Sequence, residues 1–146
     1  MENDPNNTSG STKYVLENKT LKNICDEIFE SVEQVCDNAS KVSTICSKLT
    51  HYRLVHDPED IHIGKHVRWL KKTDVGLLHP GGIVVNLRYS TDKGTYVMIL
   101  NKYANRVMQY CFDECLTFQK LTHEETIIFM VNENYGSNSS GSEATF

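Results

Sequence analysis

Residues 77–100 read LLHPGGIVVNLRYSTDKGTYVMIL and contain the clearest structural signal in the chain. Two runs rich in valine, isoleucine and tyrosine flank the turn STDKG, which is the pattern of a β-hairpin. The corner HPGG precedes the first run, and Gly81 and Gly82 suit a sharp bend or a bulge. The stretch therefore predicts two antiparallel strands that follow a tight corner.

Further short strands are predicted on both sides of this hairpin. The segment IHIGKHVRWLKK, residues 61–72, alternates so that Val67 and Trp69 share one face. The runs VMQYCF and ECLTFQKL follow the hairpin and bring the total to about five strands. Small antiparallel sheets avoid open edges by closing on themselves. We therefore expect a small five-stranded antiparallel SH3-like barrel.

A helix is predicted directly after the last strand. In THEE, Thr122 is suited to cap a helix, and Glu125, three residues later, completes a capping box. The apolar run TIIFMVNEN follows. We expect a short C-terminal helix that closes the barrel.

Residues 18–56 predict one long amphipathic helix without an internal Pro or Gly. A heptad that begins at Leu21 places apolar residues at most a and d positions, with polar Ser31 and Asn38 at d. Two interpretations stay open: the helix packs on its own barrel, or it forms a coiled coil with a second copy or a partner helix. The residues for such association are Leu21, Ile24, Ile28, Val35, Val42, Ile45 and Leu49.

The remaining segments, 1–17 and 136–146, are rich in Asn, Ser, Thr and Gly and are predicted to be disordered tails. The expected fold class is α+β, with the helix over 18–56 and the barrel with its closing helix over 57–135. No apolar run is long enough to span a membrane, and the N-terminus has no secretory signal. Five cysteines lack the spacing of a disulfide framework. We expect an intracellular protein with reduced thiols.

The formal net charge of −4 hides an uneven distribution. Between His62 and Tyr110 the acidic residues are Asp74 and Asp92, against eight basic ones. Clustered positive charge with nearby tyrosines is what phosphate contacts and base stacking require, although a solvated face has the same composition. The candidate nucleic-acid-binding residues are Lys65, Arg68, Lys71, Lys72, Arg88, Lys93, Lys102 and Arg106.

Patterns for catalysis and metal binding are weak. The chain has no nucleophile elbow, P-loop, zincin or dinucleotide-binding motif, and the pairs His62/His66 and Cys111/Cys115 lack the spacing of a zinc site. We expect no enzymatic activity, no metal and no cofactor. A cage for a methylated Lys or Arg, as in Tudor-like modules, stays open. Its candidates are Trp69, Tyr89, Tyr96, Tyr103, Tyr110 and Phe112.

The succession of GKHVRWLKK, GGIVVNLRY, GTYVMIL and LTFQKL resembles the small barrels of SH3-like and Tudor-like modules. The words GKHVRWL, GGIVV and DECLTFQKLTHEE are also similar to a family of short uncharacterised proteins of large DNA viruses of protists, over residues 61–131. This resemblance implies a viral protein in the host cytoplasm or the virion. It carries over no catalytic residue.

These observations together predict a non-enzymatic binding or assembly protein. The helix would associate with a protein partner or a second copy, and the basic barrel would make further contacts, as in a scaffold or virion component. The alternative is a nucleic-acid-associated factor in viral transcription or genome packaging, with DNA or RNA as the partner. No membrane contact is expected.

Overall fold

Two short helices open the described part of the chain, where the sequence predicts one long helix. The structure, a computed structural model, describes residues 19–74 and 77–145. Helix α1 spans Leu21–Val35 and helix α2 spans Ala39–Ser47. Thr20 and Asn23 fix the start of α1, because each side chain accepts a 3.1 Å hydrogen bond from the backbone N–H of the other residue.

The prediction of a continuous helix over 18–56 is wrong, and Asn38 is the physical reason. Its backbone is extended, with φ −114° and ψ 115°. Its side-chain oxygen accepts hydrogen bonds from the N–H groups of Ser40 and Lys41, at 2.8 and 3.3 Å. Asn38 is therefore the N-cap of α2 and not an internal d position of a coiled coil. Residues Tyr52–Val55, also inside the predicted helix, form a strand.

In the described ranges, six strands form one antiparallel sheet in the order β1-β6-β2-β3-β4-β5. They are β1 Tyr52–Val55, β2 His66–Lys71, β3 Gly82–Ser90, β4 Gly94–Asn101, β5 Arg106–Cys111 and β6 Cys115–Lys120. The predicted five-stranded closed barrel is wrong. The additional strand β1 pairs with β6, and the opposite edge strand, β5, pairs with β4, so the sheet stays open.

The hairpin predicted from residues 77–100 is confirmed. Strands β3 and β4 pair from Ile83 opposite Leu100 to Ser90 opposite Gly94, with a bulge between Val84 and Asn86. Gly94 closes the turn with φ +89°, a conformation that glycine adopts without strain. The hairpin belongs to the larger of two compact units, which covers Glu27–Lys120.

A cluster of buried residues in this unit lies on one side of the sheet, which we call the core face. Trp69 is at its centre, stacked between His79 at 4.9 Å and Tyr110 at 4.2 Å, with both rings tilted by 15°. The Tyr110 hydroxyl is 2.9 Å from Thr117 Oγ1, so this buried polar group has a partner. The other buried members are Val55, Ile61, Val67, Val84, Val97, Ile99, Phe112 and Cys115.

The opposite side of the sheet, the outer face, is divided into two parts. On β6 and β2, Phe118 and Leu70 point to this side and are fully buried. Arg68 Nη1 donates a 3.4 Å hydrogen bond to the carbonyl of Lys48, which places the end of α2 over this part. On β3, β4 and β5 the outer face carries exposed residues such as Arg88 and Gln109.

The smaller unit contains the described residues 19–26 and 121–145. Its helix α3 spans His123–Thr145. The predicted capping box is confirmed, since Glu125 N–H donates to Thr122 Oγ1 at 2.9 Å and Thr122 N–H donates to the Glu125 carboxylate at 3.0 Å. The helix is longer than predicted and includes most of the segment 136–146. The other predicted tail, 1–17, lies outside the described residues, and the domain boundaries stay predictions.

Candidate functional site

A cleft of about 340 Å³ lies where the N-terminal ends of β2 and β3 meet the turn that joins β4 to β5. Part of the lining is apolar and includes two glycines, and the rest carries polar and charged side chains, as is usual for binding sites. The lining residues are His66, Pro80, Gly81, Gly82, Ile83, Leu100, Asn101, Lys102 and Tyr103.

The turn that forms the rim is held by its own asparagines. Asn101 Oδ1 accepts hydrogen bonds from the N–H groups of Tyr103 and Ala104, at 3.0 and 3.1 Å. Asn105 adopts the left-handed conformation, with φ +53°, which asparagine tolerates better than most residues. Tyr103 projects from this turn with 102% relative exposure. An aromatic ring is therefore presented to solvent at the mouth of the cleft by a backbone that is locally fixed.

His66, on the wall of the cleft, reports the local electrostatics. A 3.0 Å hydrogen bond joins its Nδ1 to the hydroxyl of Tyr52. Burial lowers the pKa of His66 below its ordinary value of 6.5, and the charges of Lys120 and Arg68 lower it further. Both charged neighbours that act on this ring are cations. All three influences favour the neutral form of the imidazole, and an anion beside this ring would meet the positive charges of Lys120 and Arg68.

The register of the sheet explains how Lys120 reaches this site from a distant part of the sequence. Tyr52 lies opposite Lys120, and His66 lies opposite Ile83. In the neighbouring pairs, Val67 lies opposite Gln119, so Lys120 is the next residue of β6 beside His66. His66 was considered from the sequence only as half of a histidine pair for metal, and Lys120 was not among the predicted site residues. Lys120 is outside the basic stretch, and its role depends on a strand pairing that no local pattern reveals.

The eight predicted basic residues do not form one patch. Lys102 lines the cleft, and Arg68 acts on His66 while its Nε donates a 3.1 Å hydrogen bond to the carbonyl of His79. Lys65 directly precedes His66, and Arg106 ends the turn that carries Lys102. Arg88 lies on the outer face of β3. Lys65, Arg68 and Lys102 therefore lie at the cleft end of the sheet and Arg88 lies on its outer face, whereas Arg106 pairs with Asn101 and points to the core-face side.

The other three basic residues lie outside the cleft. Lys72 Nζ donates a 3.4 Å hydrogen bond to the main-chain carbonyl of Asp113, and Lys71 begins the turn that leads to Asp74. Lys93 lies in the β3–β4 turn. None of the three lines the cleft, so the case for anion binding rests on the cleft end.

The predicted aromatic cage has no common centre. Trp69 and Tyr110 are stacked with ring centroids 4.2 Å apart, which leaves no space for a cation between them. Phe112 is buried in the same core. Tyr96 lies under the guanidinium of Arg88, with Cζ 5.4 Å from the ring centroid. Tyr89 and Tyr103 are exposed near opposite ends of the β3–β5 strands. The cage candidates are therefore distributed over the unit.

The residues predicted for helix association are largely buried within the chain itself. Five of them are between 2 and 4% exposed: Ile24, Ile28, Val42, Ile45 and Leu49. Leu21 and Val35 are half-buried. The apolar stripe that suggested a coiled coil is thus covered in a single copy, and little of it remains for a partner helix.

The described part of the chain contains neither a metal-binding cluster nor an activated thiol. No group of three or more His, Cys, Asp or Glu residues there is placed to hold a metal ion. Cys111 Sγ donates to the carbonyl of Lys93 at 3.3 Å. Burial raises the pKa of Cys115 to about 11, so its thiol stays protonated.

The similarity comparisons give no family for this chain. No family model matches it, and neither curated proteins nor solved structures show a significant match. The resemblance to viral proteins and to SH3-like or Tudor-like modules therefore stays a prediction. Among the described residues, no helix has the length and apolar character needed to cross a membrane.

Proposed function

We propose that this protein is a non-enzymatic binding protein whose cleft takes single-stranded nucleic acid. The observation that supports this most is the position of Tyr103, fully exposed beside Lys102 at the mouth of a cleft in which Lys120 and Arg68 act on His66. Exposed aromatic rings next to a positive groove are the usual means of binding single strands, because every base has a face that stacks.

The size of the cleft favours a single strand over a duplex. A volume of about 340 Å³ accommodates one or two flat groups, and a small sheet end offers no helix for a major groove. A stacked base would cover the ring of Tyr103, while the adjoining phosphates would lie near Lys102 and Lys120. Each phosphate that is neutralised releases counterions, so the affinity should depend strongly on salt.

The scaffold alternative receives less support. The helix stripe predicted for association is covered, since Ile28 and Ile45 are 4% and 3% exposed, and the exposed apolar side chains on α3, such as Met130, lie outside that stripe. The viral setting, whether in transcription, genome packaging or the virion, follows from the sequence resemblance and stays a prediction. The cleft and the chemistry of its rim are independent of that setting.

The test is fluorescence anisotropy of labelled single- and double-stranded DNA and RNA with the purified chain, at about 50 and about 200 mM salt. We expect single strands to bind more tightly than duplexes and to bind more weakly at the higher salt. Tyr103→Ala should lower the affinity by roughly tenfold, the loss of one stacked base. Lys102→Ala should reduce the salt slope by about 0.7.

Matched controls come from the opposite end of the hairpin. Tyr89 is a 73% exposed tyrosine, and Lys93 lies in the β3–β4 turn. Tyr89→Ala and Lys93→Ala should leave the affinity near the wild-type value. Absence of binding at the lower salt, or equal losses in the two pairs of variants, would refute the proposal.

A further inference from the structure

The outer face of β3, β4 and β5 begins at the cleft and continues along the strands. Cross-strand pairing arranges its side chains in rows. The first row, Ile83-Leu100-Val107, starts at the wall of the cleft, since Ile83 and Leu100 line it. Asn86-Met98-Gln109 and Arg88-Tyr96-Cys111 follow in order. We call the surface formed by these rows the open face.

The charge of the open face is compatible with a polyanion. Strands β3, β4 and β5 contain no Asp or Glu in any of their positions. Arg88 stands on the open face and is exposed. The surface also retains apolar area, because Val107, opposite Leu100, is 53% exposed. A strand of nucleic acid needs both properties, positive charge for phosphates and apolar area for bases.

Arg88 is held in place by two neighbours. Its Nη2 donates a 3.1 Å hydrogen bond to Gln109 Oε1, and its Cζ lies 5.4 Å from the ring centroid of Tyr96. The guanidinium is therefore fixed across two neighbouring strands before any ligand arrives. A fixed planar fork of N–H donors is suited to the two acceptors on the edge of guanine, and its flat surface is suited to stacking.

We propose that the strand bound at the cleft continues over the open face, where Arg88, supported by Tyr96 and Gln109, recognises a guanine base. This inference rests on the proposed function and adds a second contact point and a base preference. Tyr96 and Leu100 are four residues apart on β4, about 13 Å along the strand. A strand a few nucleotides long therefore reaches from the cleft to Arg88.

The experiment uses labelled uridine RNA strands of about 8 nucleotides and a matched set in which a single guanine replaces uridine at each position in turn. We expect one or two positions to bind about tenfold more tightly than the uridine strand, since one good pairing discriminates by that amount or more. Arg88→Lys keeps the charge but removes the fork. It should abolish the guanine preference and preserve the salt dependence.

Arg106→Lys is the matched control, because Arg106 pairs with Asn101 and so faces the opposite side of the sheet. It should retain the guanine preference. Gln109→Ala should weaken the preference by freeing the guanidinium. The inference is overturned if every guanine position binds like the uridine strand, or if Arg88→Lys and Arg106→Lys have equal effects. Salt-dependent binding of uridine strands in that case leaves the cleft proposal intact, whereas no binding of any strand refutes both.

Discussion

The two halves of the sheet have opposite surroundings although they share one core face. In the half formed by β1, β6 and β2, the outer face is covered, and Leu70 and Phe118 are fully buried there. In the half formed by β3, β4 and β5, the outer face is open, and Arg88 and Gln109 are exposed. Side chains buried on both sides of a strand have no surface left for a ligand, whereas a strand with one open side does. The proposed site therefore lies mainly on the open half, and His66 and Lys120 join it from the adjoining ends of β2 and β6.

The largest expected effect is a loss of unfolding free energy, and it should differ between a leucine of the covered half and a leucine of the open half. Leu70 is fully buried, whereas Leu100 is half-buried at the cleft. Leu70→Ala should lower the free energy of unfolding by about 2–5 kcal/mol, and Leu100→Ala by about 1 kcal/mol. Urea unfolding followed by the fluorescence of Trp69, the single tryptophan, measures both. Equal losses would show that the open half is covered in solution, for instance by a second copy.

The next expected loss of stability concerns the pairing of β2 with β3, where the two halves join and Val67 lies opposite Gly82. Gly81 has φ +76°, and a Cβ there would collide with the backbone carbonyl of Val67. Gly81→Ala should cost roughly 2–3 kcal/mol of unfolding free energy and close the floor of the cleft. Gly64 is the control, since its φ is +95° but nothing lies near its missing Cβ. Gly64→Ala should cost about 1–2 kcal/mol from backbone strain alone. Equal losses for Gly81→Ala and Gly64→Ala would mean that the backbone of β2 moves away from the added Cβ at little cost.

A smaller effect is expected at the cap between the two helices. Asn38→Ala removes the acceptor for two N–H groups of α2 and should cost about 1 kcal/mol of unfolding free energy. Asn38→Asp keeps an acceptor and should stay near wild type. Asp37, an exposed neighbour, provides the control in Asp37→Ala. An Asn38→Ala chain that is as stable as wild type, or more helical by circular dichroism, would indicate that one long helix is accessible after all.

The sequence predicted the open half better than the covered half. Alternation along 82–101 and the turn residues Ser90–Gly94 are local signals, and the hairpin follows from them. β1 is four residues long and pairs with β6, more than sixty positions away, so no local pattern identified it. Asn38 is equally compatible with a polar d position and with an N-cap, and the choice depends on packing against the sheet.

The candidate site was predicted in part for the same reason. Lys102 was among the basic candidates and Tyr103 among the aromatic ones, because both types are recognisable in the sequence. Their combination with His66 and Lys120 arises from the register of β6 against β1 and β2. Burial of the helix stripe was one of two open interpretations, and composition alone does not decide between a covered and an exposed apolar face.

The last prediction uses pH to separate folding from binding at His66. Burial, Lys120 and Arg68 lower the pKa of His66 in the folded chain. In the unfolded chain this side chain has its ordinary pKa of 6.5, so below pH 6.5 it binds more protons there than in the folded chain. Stability from this group is therefore present above pH 6.5 and lost as the pH falls through the lowered folded value. A bound phosphate has the opposite preference, since it favours the protonated ring, so nucleic-acid affinity should rise over the same interval. His66→Gln should remove both slopes, as measured by urea unfolding and anisotropy between about pH 5 and 7.

His79 provides the control for this prediction. Burial also lowers the pKa of His79, which stacks on Trp69 in the core. His79→Gln should therefore change the stability slope and leave the binding slope intact. If affinity falls with acidification in the wild type, His66 does not face the bound phosphate, and the path of the strand must leave the cleft on the side of Tyr103.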